Sequence, residues 1–323
     1  MKAITVSEST DTDDKAQVIY GDVESPELKD GEVLVKVHAA GVNRADLLQS
    51  QGNYPVPPGA SEVLGLECAG VIEDPGNTGR ETGEEVACLL SGGGYGEYVA
   101  VPEGQLMPIP EGFSLTEAAS IVEVACTVWS NIGMLAGLKE GQTFLIHGGA
   151  GGIGTFAIQM GKALGATVAV TAGSAEKLQT CKELGADILI NYKDEDFAER
   201  LKNQCDVILD IIGAKYLNQN LKALAKDGHM VTIGLQGGRK GELNMGLMLA
   251  KRLNLSATAL RGRDLADKAN IVSSTIEHIW PMLADGRISH HIDRTLPLSE
   301  AAQALQLLED SAVTGKIVLE VAD

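Results

Sequence analysis

A glycine-rich stretch in the middle of the chain has the residue types and the spacing of a dinucleotide-binding loop. Apolar residues at 144–146 run into glycines in the order G-x-G-x-x-G, and an apolar helical pattern then continues to Gly165. Gly149 permits a tight turn, Gly151 lets the backbone approach a pyrophosphate, and Gly154 brings the helix close to the strand. The predicted cofactor contacts here are Gly149, Ala150, Gly151, Gly152, Ile153 and Gly154. The alternative is a Gly-rich structural turn.

The residues after the next predicted strand, 167–172, indicate which dinucleotide binds. An NAD-binding domain normally has Asp or Glu there to hold the ribose 2′-hydroxyl, but this chain has Gly173 and Ser174. Ser174 is a candidate helix N-cap, and Lys177 occupies the capping-box position of Glu or Gln, against the positive helix end. A bound phosphate would relieve that conflict, so the pattern favours NADPH over NADH. In the alternative interpretation Lys177 is a solvated helix charge.

The elements around these residues alternate between strand and helix, which is typical of a parallel doubly wound sheet. The predicted strands are 144–147, 167–172, 187–192, 207–212, 229–233 and 255–260. Gly234 follows the fifth of these strands and is a further predicted cofactor contact. We therefore predict an α/β dinucleotide-binding (Rossmann) domain over residues 123–262.

The rest of the chain has a different pattern. Residues before 123 are β-rich, with predicted strands at 32–37, 66–72, 85–90 and 95–101 between Gly and Pro turns. Residues 268–323 predict a long helix, a second helix over 298–309 and a closing strand within 315–321. We expect this part to return to the first domain, so the second predicted domain comprises residues 1–122 and 263–323.

Composition limits the classes of protein to which the chain belongs. No apolar run approaches the ~20 residues that a membrane span requires, and no signal-peptide core stands at the start, so we expect a cytoplasmic protein without membrane contact. The five cysteines are scattered and contain no C-x-x-C pair, as in a reducing compartment. A formal net charge of −18 disfavours nucleic-acid binding.

Several motifs resemble the zinc-free quinone oxidoreductases of the medium-chain dehydrogenase/reductase superfamily. They are 40–46 (AGVNRAD), 64–67 (LGLE), the glycine motif, Asn191-Tyr192 and 314–318 (TGKIV). Residues 51–54 (QGNY) and 106–112 (LMPIPEG) are most similar to the zeta-crystallin-like branch, closest to the tumour-suppressor-inducible quinone oxidoreductases. The resemblance spans the chain and implies a GroES-like substrate domain, a Rossmann domain and a cleft between them.

The resemblance also implies roles for single residues. Thr127 matches the family residue beside the nicotinamide, and Tyr192 matches one that closes over the 2′-phosphate. Arg261 and Lys316 are further predicted cofactor contacts. The alternatives are that the Thr127 hydroxyl bonds its own backbone, that Arg261 ends an exposed edge strand, and that Lys316 is a surface residue.

Ligand chemistry argues against zinc in this chain. The positions that match zinc ligands of the metal-using relatives hold Asn43, Leu66 and Glu123, of which Glu123 alone would coordinate well. The lobe of four closely spaced cysteines found in those relatives has no counterpart between residues 73 and 101. We therefore predict no bound metal and a reaction that needs no metal electrophile.

Reduction of a small electron-poor acceptor, above all a quinone, suits a metal-free site, because aromatisation stabilises the oxygen that gains negative charge. Asn43 and Tyr54 are the predicted hydrogen-bond donors, or alternatively Asn43 shapes a loop and Tyr54 fills a turn. NADPH-dependent quinone reduction is the leading hypothesis. An enoyl or alkenal double-bond reductase is the second, and a non-enzymatic NADPH-binding protein (sensor, crystallin-like or RNA-binding) is the third.

The last predicted strand of the Rossmann domain also bears on assembly. Residues 254–260 (NLSATAL) offer an open sheet edge with small side chains that could pair with a two-fold mate. The family resemblance points to the same arrangement, and we expect a homodimer.

Overall fold

The computed structural model describes residues 1–7 and 17–321, which form two compact units. The first unit comprises Met1–Cys126, Leu260–Ala284 and His290–Asp323, and the second comprises Thr127–Ala259 and Asp285–Ser289. The predicted domain limits, 1–122 with 263–323 and 123–262, stay a prediction.

The described residues contain helices and strands with the following bounds. The strands are β1 Lys2–Val6, β2 Val18–Asp22, β3 Glu32–Gly41, β4 Glu67–Asp74, β5 Glu85–Leu89, β6 Tyr98–Pro102, β7 Leu106–Pro108, β8 Thr143–His147, β9 Thr167–Ala172, β10 Ile188–Asn191, β11 Cys205–Asp210, β12 Leu224–Thr232, β13 Asn254–Ala257, β14 Ile292–Pro297 and β15 Lys316–Glu320. The α-helices are α1 Arg44–Ser50, α2 Leu115–Ala118, α3 Val122–Val128, α4 Gly152–Ala163, α5 Ala175–Glu183, α6 Phe197–Arg200, α7 Leu217–Ala223, α8 Met245–Lys251, α9 Leu265–His278, α10 Trp280–Ala284 and α11 Ala301–Glu309. Short 3₁₀ helices span Glu103–Gln105, Ala214–Tyr216 and Leu298–Glu300, and a π-helix spans Trp129–Leu135.

The second unit is built on a six-stranded parallel sheet in the order β10-β9-β8-β11-β12-β13. Its central strands are apolar and buried, as in Val168, Ala169 and Val170 of β9, because helices cover both faces of such a sheet. The first strand of the unit, β8, lies in the middle of the sheet, and the strand order reverses beside it. Ligands bind at that reversal point in sheets of this kind. The predicted doubly wound sheet is confirmed.

One predicted strand of this sheet is longer in the sequence interpretation than in the structure. The prediction extended the last strand to Leu260, whereas β13 ends at Ala257. Its partner β12 ends at Thr232, which pairs with Ala257. Residues after Ala257 therefore have no residue of β12 to pair with.

The first unit contains a seven-stranded sheet whose main order is β14-β15-β3-β4-β5-β7, with β6 paired to β3. Alternation of apolar and polar residues makes β3 a half-buried strand, since Val33, Val35 and Val37 point into the core. The C-terminal strand β15 pairs antiparallel with β3, so that Val318 faces Gly41. This pairing brings the start of β15 beside the residues that follow β3.

One helical stretch, Leu115–Leu135, is long and apolar enough to cross a membrane by length and composition, with a mean hydropathy of 1.4. The expectation that the chain contains no such run was wrong. However, 72% of its most apolar window is buried inside the protein, and a core helix passes the same test of length and composition. The run is therefore weak evidence for a membrane span.

Candidate active site

The glycine motif forms a loop between β8 and α4 at the centre of the parallel sheet. Gly148 has a φ of 73°, a conformation that favours glycine, and the N–H groups of Gly148 and Gly149 both donate to the Thr171 carbonyl oxygen, at 3.1 and 3.0 Å. The turn that the sequence interpretation assigned to Gly149 therefore depends on Gly148. Gly149 is required for close packing instead, because a Cβ there would lie 2.9 Å from the Cys181 Sγ.

The other two glycines of the motif differ in the space around them. A Cβ on Gly154 would overlap the Gly148 carbonyl oxygen and the Gly149 backbone, so glycine is needed to bring α4 against the end of β8. Gly151 is the N-cap of α4, and a Cβ on it would find its nearest neighbour 3.6 Å away. The backbone of Ala150, Gly152 and Ile153 lies in this turn and the first residues of the helix. The loop therefore fits a pyrophosphate at a helix N-terminus.

The structure brings together the four residues predicted to contact a 2′-phosphate. Asn191 of β10 faces Ala172 of β9, and Tyr192 follows, so its hydroxyl lies directly over Gly173. The Ser174 hydroxyl accepts a hydrogen bond of 3.3 Å from the Lys177 N–H and caps α5, as the sequence predicted. Tyr192 is 46% exposed. Gly173, two side-chain hydroxyl groups and the first turn of α5 thus lie close together at the end of β9.

Two further predicted cofactor residues lie in the second unit. Gly234 follows β12, and a Cβ on it would lie 2.9 Å from the Ile211 carbonyl oxygen, so the two chain segments approach closely there. Thr127 is buried on α3, and its carbonyl oxygen accepts a 2.7 Å hydrogen bond from the Asn131 Nδ2. Contact of either residue with a cofactor stays a prediction.

A buried ion pair lies at the end of β3 in the first unit. The Lys316 ammonium donates to the Glu67 Oε1 and to the Asn43 Oδ1, each at 2.6 Å. Lys316 is 6% exposed and Glu67 is fully buried. The Asn43 Nδ2 donates to the same Glu67 oxygen at 2.9 Å and to the Gly41 carbonyl oxygen at 3.4 Å. Lys316 is therefore not the surface residue that one interpretation expected, and the ion pair already uses its charge.

Asn43 is held in place by the helix that it begins. It is the N-cap of α1, and its N–H donates to the Asp46 Oδ2 at 2.8 Å in a capping box. The same Asp46 oxygen accepts from the Tyr95 hydroxyl at 2.8 Å, and the Asp46 Oδ1 accepts from the Gly65 N–H at 3.2 Å. Burial raises the pKa of Asp46 to about 6, although these hydrogen bonds favour its ionised form.

Tyr54 and Arg261 form a stacked pair, also in the first unit. The guanidinium carbon of Arg261 lies 5.3 Å from the centre of the Tyr54 ring. Burial raises the pKa of Tyr54 above its usual value of 10, so the phenol keeps its proton at neutral pH. Arg261 is 4% exposed, which rules out the interpretation that it ends an exposed strand. Arg261 contacts Tyr54 and Ser91, and its contact with a cofactor stays a prediction.

The residues at the zinc-ligand positions do not fit a metal ion. Within residues 1–7 and 17–321, no three His, Cys, Asp or Glu side chains are grouped so as to hold one. Leu66 is apolar and buried, and the Lys316 ammonium occupies the polar side of Asn43, where it would repel a cation. We therefore derive no step through a metal.

Sequence reasoning missed several residues on which this arrangement depends. Glu67 and Asp46 stand inside motifs used for the family resemblance, yet neither was identified as a buried partner of Asn43 or Lys316. The spacing Asn43-x-x-Asp46 is a signal that could have revealed the capping box. Pairing of β15 with β3 brings Lys316 to these residues, and a backbone hydrogen bond to Leu64 places Tyr95, and neither long-range contact has a local signal in the sequence.

Two family models match the chain, one for each part of the predicted fold. The alcohol dehydrogenase GroES-like domain matches residues 29–111, and the zinc-binding dehydrogenase model matches residues 152–274. The predicted fold class, a GroES-like β-rich domain plus a Rossmann domain, is confirmed.

Solved structures resemble the chain over its whole length. The quinone oxidoreductase of Pseudomonas syringae is 30% identical, with a TM-score of 0.86 and 99% of each chain covered. The Escherichia coli quinone oxidoreductase complexed with NADPH is 27% identical, with a TM-score of 0.87, and covers 99% of this chain and 100% of its own.

A curated relative of another kind is a highly reducing polyketide synthase of Emericella nidulans, which is 33% identical over 306 residues. The match covers 90% of this chain and 12% of the synthase. The chain spans between 12% and 14% of the length of such synthases.

The raised pKa of Asp46 predicts a pH-dependence of stability. The folded protein holds this proton more tightly than the unfolded chain, so the stabilisation is complete below pH 3.8 and is lost as the pH rises through about 6. Between pH 4.5 and 7.5 the loss is about 2 kcal/mol. The Asp46→Asn side chain cannot ionise, so this variant should not show that loss of unfolding free energy. Urea unfolding of both proteins at the two pH values measures the difference, and parallel pH profiles would contradict the prediction.

Proposed function

The chain belongs to the medium-chain dehydrogenase/reductase superfamily, and on that premise we propose that it reduces quinones with NADPH and without a metal. The observation that carries the proposal is the half-buried phenol of Tyr54, which keeps its proton at neutral pH because burial raises its pKa. The Lys316 ammonium does not replace a metal electrophile, because Glu67 neutralises its charge, so the site offers a hydrogen-bond donor without a free cation. Such a site stabilises modest negative charge, which suits an acceptor whose reduced oxygen is intrinsically stable.

The cofactor residues divide the binding of NADPH between backbone and side chains. The turn at Gly151 and the N-terminus of α4 hold the pyrophosphate through N–H groups. Ser174, Lys177 and Tyr192, which lie together at the end of β9, would hold the 2′-phosphate. The E. coli relative is a complex with NADPH, which supports the same cofactor here. Bound NADPH supplies the hydride.

Tyr54 is the donor to the acceptor oxygen. It keeps its proton at neutral pH, and no described residue forms a hydrogen bond with its hydroxyl group. Asn43, in contrast, directs its amide N–H groups at Glu67 and Gly41. We therefore propose that Asn43 acts chiefly by positioning Lys316, and that its predicted role as a direct donor is secondary.

A second candidate is reduction of the double bond in an enal or enoyl compound. The similarity to a highly reducing polyketide synthase favours it, since that similarity extends over 90% of this chain. The two reactions share the hydride donor, and they differ in the charge that the acceptor oxygen must carry.

We further propose that the protein is a homodimer in the cytoplasm. β13 is the last strand of its sheet, and on its outer side no strand of the described residues pairs with it. A two-fold mate could continue the sheet there. The five cysteines are all free and buried, which agrees with a reducing compartment.

Lys177→Glu tests the choice of cofactor. The change removes a positive charge from the end of β9 and adds repulsion, so the NADPH dissociation constant should rise at least tenfold while that of NADH changes little. Lys182→Glu, at the other end of α5, is the matched control and should change neither. Fluorescence titration measures both constants. Equal affinity of the natural protein for the two cofactors would contradict the proposal.

A direct comparison of acceptors tests the reaction. With NADPH, para- and ortho-quinones should give a higher kcat/KM than enals, and simple ketones the lowest. Tyr54→Phe should lower kcat for quinones about tenfold with NADPH affinity unchanged, whereas Tyr98→Phe in β6 should retain the natural rate. Full activity should survive prolonged chelation. An enal or enoyl thioester that turns over far faster than any quinone would establish the second candidate instead.

Light scattering at micromolar concentration tests the assembly. We expect twice the mass of the 33.9 kDa chain. Ser256→Asp in β13 should shift the mass towards the monomer, since it adds a negative charge to each strand of the proposed interface. A monomer mass for the natural protein would refute the homodimer.

A further inference from the structure

Two buried cations of the first unit lie on either side of Ser91. The Arg261 Nε donates to the Ser91 carbonyl oxygen at 2.8 Å, and the Lys268 ammonium, on α9, donates to the Ser91 hydroxyl. Arg261 is 4% exposed and Lys268 is 2% exposed. Burial and the neighbouring Arg261 both lower the pKa of Lys268. The two side chains thus repel each other in a place that water hardly reaches.

The terminal nitrogens of Arg261 lack a protein partner. Both Nη1 and Nη2 are buried, and neither has a hydrogen-bond acceptor among residues 1–7 and 17–321. Burial lowers the pKa of the guanidinium, and the nearby Asp46 and Glu62 carboxylates only partly oppose this through space, without bonding to the terminal nitrogens. Buried donors without a partner are unfavourable, and arginine in particular is almost never buried unless paired. The two terminal nitrogens therefore leave N–H donors for an acceptor outside the described residues, and an anion would also balance the charge.

The Arg261 guanidinium lies close to Tyr54, the residue proposed to contact the acceptor. Its carbon lies 5.3 Å from the centre of the Tyr54 ring, and Tyr54 is the donor assigned to the acceptor oxygen. Tyr54 stands in the loop between α1 and β4, whose neighbouring residues 51–53 are exposed. A molecule that meets the Tyr54 hydroxyl would have Arg261 beside it.

We propose that Arg261 and Lys268, joined through Ser91, bind an oxyanion substituent of the electron acceptor, such as a carboxylate, a sulfonate or a phosphate. The planar guanidinium presents Nη1 and Nη2 side by side and suits two parallel hydrogen bonds to such a group. Lys268 adds a second charge. The acceptor is then an acidic quinone or a related acidic compound, and the inference rests on the proposed function.

The first experiment compares 1,4-naphthoquinone with its 2-sulfonate in steady-state turnover. Arg261→Met and Lys268→Met should each lower the ratio of kcat/KM for the sulfonate over the neutral quinone, Arg261→Met by at least tenfold. Arg294→Met in β14 removes one exposed positive charge and is the control, with an unchanged ratio. The ratio within each protein cancels the intrinsic reactivity of the two quinones. An unchanged ratio in Arg261→Met overturns the inference.

The second experiment needs no turnover. Naphthalene-2-sulfonate, naphthalene-2-carboxylate and naphthyl phosphate should bind the natural protein in calorimetric titrations, naphthalene-2-methanol should not, and Arg261→Met should abolish the binding. The three anions also tell which oxyanion the site prefers. If none binds, the inference fails even where quinones are reduced. If they bind while no quinone is reduced, the anion site stands and the proposed reaction fails.

The cofactor is the competing occupant, because Arg261 was also a predicted NADPH contact. The NADPH dissociation constant of Arg261→Met decides between the two. We expect a change below twofold. A tenfold rise together with an unchanged sulfonate ratio would assign Arg261 to the cofactor and overturn the acceptor site.

Discussion

The buried ion pair between Lys316 and Glu67 organises the first unit. Two charges withdrawn from water are costly, and the cost is offset only when geometry and additional hydrogen bonds are good. Here Asn43 contacts both partners, and the Glu123 N–H donates to the second Glu67 oxygen at 2.9 Å. The pair thereby fixes the end of β3, the start of α1 and the start of β15 relative to one another.

The first unit contains two buried cations, Lys316 and Arg261, that differ in their hydrogen-bond partners. Lys316 is satisfied by a carboxylate and an amide, so its charge is part of the fold. Arg261 has one bonded nitrogen and two without a partner among the described residues. A paired buried charge fixes geometry, whereas an unpaired one weakens the folded state unless a ligand completes it. The difference in partners therefore separates a structural role from a binding role.

In the second unit, the proposed pyrophosphate site consists of backbone groups. Its loop at 148–154 has no charged side chain, and it presents N–H groups at a helix start because glycines allow the chain to turn and pack closely. In the proposed function, selection between cofactors falls to a few side chains at the end of β9, where Tyr192 covers Gly173. The proposal thus divides recognition of the common part and of the distinguishing part of the dinucleotide between backbone and side chains.

The sequence by itself determined the features that depend on local chemistry. Alternation of strands and helices, the glycine spacing and the Ser174 cap each arise within a short stretch of chain, and the structure has all three. Only the tertiary structure decided that Gly148 and not Gly149 makes the turn, that Lys316 is buried against Glu67, and that Arg261 stacks on Tyr54. These contacts join residues 207 and 249 positions apart, or depend on a backbone angle that the glycine spacing leaves open. Pairing of β15 with β3 brings Lys316 to its partners, and loops bring Arg261 to Tyr54, so residue type at one position does not specify the distant partner.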